Sequence, residues 1–166
     1  MRARILPPTT DDTGEGMADE SIIGKRYPGY TFPIERGKVR EFAQATKTSN
    51  PDYLDDEQAV IPPTWLIASG FWAPPDLPNP VVALNINLAR LLHGGQEFVF
   101  HGPPPKAGDV ISTESWIDKV YEKEGKRGGT MRFAEMVTEY KDQTGTVVAE
   151  SRTTMIETGK APTEGT

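Results

Sequence analysis

The sequence predicts an α+β domain: an antiparallel sheet with its helices gathered on one face. Three observations carry that reading. Helical periodicity is confined to the first half of the chain. The second half consists of long β-branched and aromatic runs. Those runs are separated by short turns rich in glycine, as an antiparallel meander requires.

Tyr30-Thr31-Phe32-Pro33-Ile34 alternates and reads as the first strand. Pro33 suggests an edge, because proline cannot donate to a ladder. Val39, Phe42, Ala43 and Thr46 recur at i, i+3, i+4 and i+7, one face of a helix from about Arg36 to Thr46. Ser49-Asn50-Pro51 ends it, since Asn tolerates turn geometry and Pro forbids continuation. Asp52 to Ala59 is acidic and is expected to be a loop with a short turn of helix. Pro62-Pro63 then opens a short apolar helix, Thr64 to Trp72; the missing proline N–H costs nothing in a first turn. Trp65, Leu66, Ala68, Ser69 and Trp72 make that helix apolar nearly all round, so it should be buried. Pro74, Pro75, Pro78 and Pro80 predict an irregular loop, and Asn87 to Leu92 fits a single helical turn.

From Gln96 the chain reads as strand, with Phe98 and Phe100 on one face. After the Pro103-Pro104-Pro105 turn comes a long strand, Val110 to Tyr121, and then a hairpin loop, Gly125 to Gly129. Thr130 to Lys141 is the next strand. Its apolar phase moves from Met131/Phe133 to Ala134/Met136, which predicts a bulge. Asp142-Gln143-Thr144-Gly145 is a turn, with glycine supplying a positive φ. Thr146 to Glu157 is the last strand, with Val147, Ala149, Ser151, Thr153 and Met155 along one face.

The 166 residues suit one domain with its own core. Residues 1–20 are polar and lack hydrophobic period, so a disordered N-terminal extension is expected there, with Met17 an alternative start. The folded domain is expected over 21–158 and a disordered tail over 159–166. No apolar run approaches the roughly 18 residues of a membrane span, and no apolar stretch follows Arg2 and Arg4 as in a signal peptide. With no cysteine, disulfides, thiolate metal sites and Cys nucleophiles are excluded, and a cytoplasmic location fits. No metal and no cofactor is expected. The net charge of −6 argues against a nucleic-acid protein. Lys119, Lys123, Lys126 and Arg127 form one local basic stretch, diluted by Glu122 and Glu124 and read as a solvated hairpin.

The stretch Ala45-Thr46-Lys47-Thr48-Ser49-Asn50-Pro51-Asp52-Tyr53 resembles the Gly-Asp-x-Asn-Pro-x-His loop of MaoC-like (R)-specific enoyl-CoA hydratases and hydroxyacyl dehydratases. Further matching pieces follow in the family's order. They are Val39-Arg40-Glu41-Phe42-Ala43, Ile61-Pro62-Pro63-Thr64-Trp65, His93-Gly94-Gly95-Gln96-Glu97-Phe98 and Ala107-Gly108-Asp109. Arg127-Gly128-Gly129-Thr130-Met131-Arg132-Phe133 and Val148-Ala149-Glu150-Ser151-Arg152 complete the set. The chain is similar to the N-terminal-type, FAS1-like dehydratase half of that family, and to non-catalytic subunits of mycobacterial heteromeric dehydratases. The resemblance implies a hot-dog fold, an antiparallel sheet wrapped around a short central helix. It also implies edge-to-edge pairing of two hot dogs, with an acyl-thioester site at their junction. There, trans-2-enoyl-CoA or enoyl-ACP is reversibly hydrated to the (3R)-hydroxy compound by an Asp/His pair.

In this chain the Asp position holds Thr48 and the His position holds Tyr53. Hydration of an unsaturated thioester needs one group to deprotonate water and another to protonate the α-carbon, and two titratable side chains with separable pKa values do this. A threonine hydroxyl is no general base unaided, and tyrosine ordinarily titrates near 10. Asp52 and Asp55 read as parts of an acidic solvated loop. Of the two histidines, His93 lies by Gly94-Gly95 and reads either as a polar residue where a strand begins or as a cleft residue. His101 reads as an exposed turn residue without a trusted carboxylate partner.

Catalytic residues are therefore expected to be absent. The candidate substrate-binding residues are Asn50, Trp65, His93, Gly94, Gly95 and Arg127. Arg127 suits CoA phosphates, though Arg127-Gly128-Gly129 also reads as a plain hairpin, and Trp65, Phe71 and Trp72 also read as core or dimer packing. The function expected is that of a subunit of a heteromeric (R)-specific 2-enoyl-CoA or -ACP hydratase in fatty-acid, lipid or sterol side-chain metabolism. It would shape the acyl pocket, through the Trp- and Pro-rich segment Trp65 to Pro80, while a MaoC-like partner supplies Asp and His. The alternatives are an acyl-CoA-binding homodimer without chemistry, and a hot-dog thioesterase using Glu97 or Glu41.

Overall fold

A computed structural model of the chain describes residues 20–125 and 129–159. The expected N-terminal extension and C-terminal tail, apart from Glu20 and Gly159, lie outside these residues, as does Arg127. Five strands form one antiparallel sheet: β1 Tyr27–Pro33, β2 Leu91–Phe100, β3 Val110–Glu124, β4 Thr130–Lys141 and β5 Val147–Glu157. Their order is β1-β3-β4-β5-β2. The meander β3-β4-β5 is thus the middle of the sheet, flanked by the two strands that precede it in sequence. Between β1 and β2 run the helices: α1 Arg36–Ala45, α2 Pro51–Leu54, a 3₁₀ helix Trp65–Trp72 and α3 Pro80–Ala83. This is the hot-dog arrangement. Among the described residues no helix is long and apolar enough to cross a membrane.

Residues opposite one another in an antiparallel pair share a face, so the register assigns each side chain. Thr113, Ser115, Thr138, Tyr140, Ser151 and Thr153 point to the inner face, toward the 3₁₀ helix. Phe32, Ile34, Val39, Ile61, Trp65 and Leu66 close one end of the core. Ile22, Leu84, Ile117, Ala134 and Met155 close the other.

Four register shifts adjust this pattern; in β5 the extra residue is Val148, since Ala149 lies opposite Tyr140 and Val147 opposite Lys141. In β1, Gly29 and Tyr30 together oppose Thr113, so Tyr27 and Tyr30, an odd number of residues apart, both line the inside. In β3, Asp118 is the extra residue. In β2, the extra residue is Gly94, above which Ile156 Cδ1 would lie 2.6 Å from an added Cβ.

Four expectations are corrected. The bulge expected in β4 lies in β3. β4 itself is apolar on both faces: Phe133 stacks outside on Tyr121, with ring centroids 5.1 Å apart, while Ala134 is buried inside. β2 starts at Leu91 rather than Gln96, because the glycine pair occupies a bulge instead of breaking the strand. The central helix is not buried all round: Trp65, Leu66 and Ser69 are, but Ile67 is 56% and Phe71 90% exposed. With roughly three residues per turn it can turn only one side to the sheet. Finally, the proline loop contains α3, capped by the Asn79 side chain, which accepts from the Val81 N–H at 2.8 Å.

The hairpin glycines behave as expected where described: Gly145 has φ 85° and Gly129 φ 86°. The two edges of the sheet differ. β1 carries Pro28, Pro33 and a bulge, which blunt it against pairing. β2 also has its Gly94 bulge but contains no proline, and among the described residues only β5 pairs with it.

Candidate functional site

The loop after α1 is built by local hydrogen bonds. The Thr48 N–H donates to the Ala43 carbonyl at 3.1 Å, and Lys47 adopts φ 58°, closing the helix end. The Thr48 hydroxyl accepts from the Asn50 N–H at 3.2 Å. Asn50 caps α2, its side chain accepting from the Asp52 N–H at 3.0 Å, and Pro51 takes the first helical position. Arg36 donates to the Leu54 carbonyl at 2.5 Å, fastening the end of α2 to the start of α1. Thr48 and Asn50 are thus engaged in making the turn. Tyr53 is half-buried within α2.

A cavity of about 340 Å³ lies between the inner face of the sheet and the segment from Leu66 to Pro80. Its wall mixes apolar groups, among them Leu66, Phe98 and Met136, with hydroxyls from every strand of the meander. At its centre runs a chain of hydroxyl contacts. Tyr30 donates to Ser69 at 3.3 Å, Ser69 and Tyr140 lie 3.4 Å apart, and Tyr140 donates to the Leu66 carbonyl at 3.4 Å. Burial is the main cause that holds the Tyr30 phenol above its ordinary pKa, opposed by its bond to Ser69. The phenol is therefore neutral across the physiological range. Nearby, Ser115 and Thr138 bond at 2.8 Å, and Thr153 donates to Gln96 at 2.8 Å. A second groove, of about 420 Å³, lies on the other side of the central helix, between Glu41, Phe42, Trp65 and Phe71.

Thr48, Asn50 and Tyr53 border neither of these two spaces. Trp65 is fully buried, packed on Phe32 and Trp72, and borders only the second. His93 is exposed and lies opposite Met155, hence on the inner side of the sheet at its β2 edge. Gly94 and Gly95 follow it in the bulge. Glu97 lies opposite Arg152 and faces outward, away from the cavity. Glu41 is exposed and ion-paired with Lys38 at 3.0 Å. His101 does have a carboxylate partner, contrary to expectation: Nε2 lies 3.1 Å from Glu150, on the outer side of β5. No cluster able to hold a metal ion occurs among the described residues.

Tyr30, Ser69 and Tyr140 were not legible as site residues. The available signal was the run of Thr and Ser at positions where the period of two points inward, which a wholly structural core would fill with apolar groups.

A family description of FAS1-like dehydratase domain region matches residues 21–151. The chain belongs to this family. As a FAS1-like dehydratase domain it has relatives along most of its length. It is 31% identical over 152 residues to a UPF0336 protein of Saccharopolyspora erythraea, covering 86% of this chain and 93% of that one. A UPF0336 protein of Mycobacterium tuberculosis is 31% identical over 147 residues, covering 82% and 84%. Solved structures of MaoC-like dehydratases share the fold. One is the ChsH1-ChsH2 complex of Mycobacterium tuberculosis, with TM-score 0.64, 16% identity and coverage of 85% and 86%. Another is the HadBC (3R-hydroxyacyl-ACP dehydratase) complex of the same organism, with TM-score 0.61, 23% identity and coverage of 81% and 96%. Both are complexes of two different subunits.

Proposed function

We propose that this FAS1-like dehydratase domain is the non-catalytic subunit of a heteromeric (R)-specific 2-enoyl-thioester hydratase. It receives the acyl chain while a dyad-bearing MaoC-like chain supplies the Asp and His. One observation carries the reading. The loop keeps its Asn50-Pro51 framework but has Thr48 and Tyr53 where the acid and base would stand, beside a domain that retains a cavity of about 340 Å³. Shape has been kept where chemistry has not. The β2 edge supports a paired assembly, since a long strand without proline presents a row of N–H and C=O groups, interrupted at the Gly94 bulge. Likeness to structures that are themselves two-subunit complexes supports it further.

In this reading Trp65 anchors the central helix whose Leu66 and Ser69 line the cavity, and Asn50 fixes the turn that starts α2. His93, Gly94 and Gly95 meet the thioester at the junction along β2, and Arg127 meets the phosphates of its carrier. The partner's Asp and His would activate water and protonate the α-carbon, and a donor at the junction would stabilise the enolate oxygen.

Co-expression with a MaoC-like chain carrying Gly-Asp-x-Asn-Pro-x-His tests the proposal. A stable co-purifying complex is expected, with hydration of crotonyl-CoA and longer enoyl-CoA thioesters by the mixture and none by this chain alone. Hydration by this chain alone, or lack of affinity for every dyad-bearing partner tried, would overturn it.

A further inference from the structure

The polarity of the hydroxyl chain inside the cavity is fixed at one end. The Leu66 carbonyl can only accept, so Tyr140 donates to it. A tyrosine has a single O–H, so in the 3.4 Å contact between Ser69 and Tyr140 the donor is Ser69. Ser69 has then spent its own proton and accepts from Tyr30, as its 3.3 Å contact requires. Every donor of the chain is thereby used. What remains at its open end is the phenolic oxygen of Tyr30, with acceptor capacity and no proton to give. Tyr30 is held in this position by the β1 bulge: its N–H donates to Thr113 Oγ1 at 3.0 Å, and Thr113 Oγ1 donates back to its carbonyl at 3.2 Å.

From this we infer that the part of the cavity beside Tyr30 selects acyl chains carrying a hydrogen-bond donor there, a hydroxyl group along the chain, over plain alkyl chains or chains with an oxo group at the same position. The inference rests on the reading that this cavity receives the acyl chain. A hydroxyl entering the space beside Tyr30 finds a waiting acceptor. An oxo group presents an acceptor to an acceptor, and a methylene leaves the phenolic oxygen facing hydrocarbon, which a buried polar atom disfavours. The apolar share of the wall, Leu66, Phe98 and Met136, serves the rest of the chain.

The test uses the full chain and N-acetylcysteamine thioesters, which carry the thioester end common to CoA and carrier-protein substrates. Binding of the octanoyl thioester is compared by calorimetry with its hydroxy and oxo derivatives, substituted in turn at each carbon from the fourth to the eighth. At least one hydroxy isomer is expected to bind about fivefold more tightly than octanoyl, the scale of one net hydrogen bond. Tyr30→Phe should abolish that preference. Ser69→Ala provides a second, independent reading. It releases the Tyr30 O–H to point into the cavity, so preference should shift from the hydroxy toward the oxo isomer. Octanoyl binding with no hydroxy preference, or a preference surviving Tyr30→Phe, would overturn the donor selection and leave the acyl pocket standing. Failure of every thioester to bind would overturn both.

Discussion

Trp65 is fully buried between Phe32 and Trp72, with ring centroids 6.3 Å and 5.9 Å away, and its indole N–H reaches the Lys38 carbonyl at 3.4 Å. Its removal empties the centre of the core. Trp65→Ala is expected to cost about 3–5 kcal/mol, read as a lower urea midpoint. On the outer face Glu114 and Lys141 meet at 2.8 Å. The hydrogen bond from Lys141 is the main cause that holds the Glu114 carboxyl below its ordinary pKa, and the bond to Glu114, followed by that to Glu139, holds the Lys141 ammonium above its own. A carboxyl lowered on folding adds stability above its unfolded pKa and loses it as pH falls. An ammonium raised on folding adds stability below its unfolded pKa and loses it as pH rises. Lys141→Met should therefore lower stability modestly at neutrality, where both charges are present, with the difference from the parent closing below about pH 4 and above about pH 10 in urea titrations across that range. Thr48 and Tyr53 could be read from sequence because absence of a titratable group is a property of residue type alone. Tyr30, Ser69 and Tyr140 could not, because their meeting depends on three elements converging.

The elements themselves were largely visible in the residues. The i, i+3, i+4, i+7 pattern from Val39 placed α1, and Asn50-Pro51 placed the break that starts α2. One bulge was expected but on β4 rather than on its partner β3, and the others escaped, because each inserts one residue without altering the composition of its strand. Gly29 shows what such an insertion demands: an added methyl would overlap the Thr113 carbonyl oxygen. Gly29→Ala is expected to lose about 1–3 kcal/mol and to turn Tyr30 out of the cavity, so thermal melting and octanoyl-thioester binding should fall together. Asn50→Ala removes the cap of a four-residue helix and should cost about 1 kcal/mol in chemical denaturation, leaving the rest of the domain folded.

At the scale of the whole molecule, the central helix that the sequence placed inside is partly outside. Phe71 and Ile67 stand out from the central helix, Val82 from α3, and Leu88 and Leu92 lie at the start of the β2 edge. A sequence shows that a segment is apolar, but not whether its second side meets its own core or another chain. If the β2 edge is the joint, then Leu92→Glu with Leu88→Glu should weaken association, seen by light scattering, at unchanged thermal stability.

The unequal edges carry one more consequence. A sheet able to add strands at both ends grows without limit, as in fibrils. Here proline and a bulge stopper one end. If the domain joins another such sheet through its β2 end, the rim left outside is the one that proline and a bulge protect.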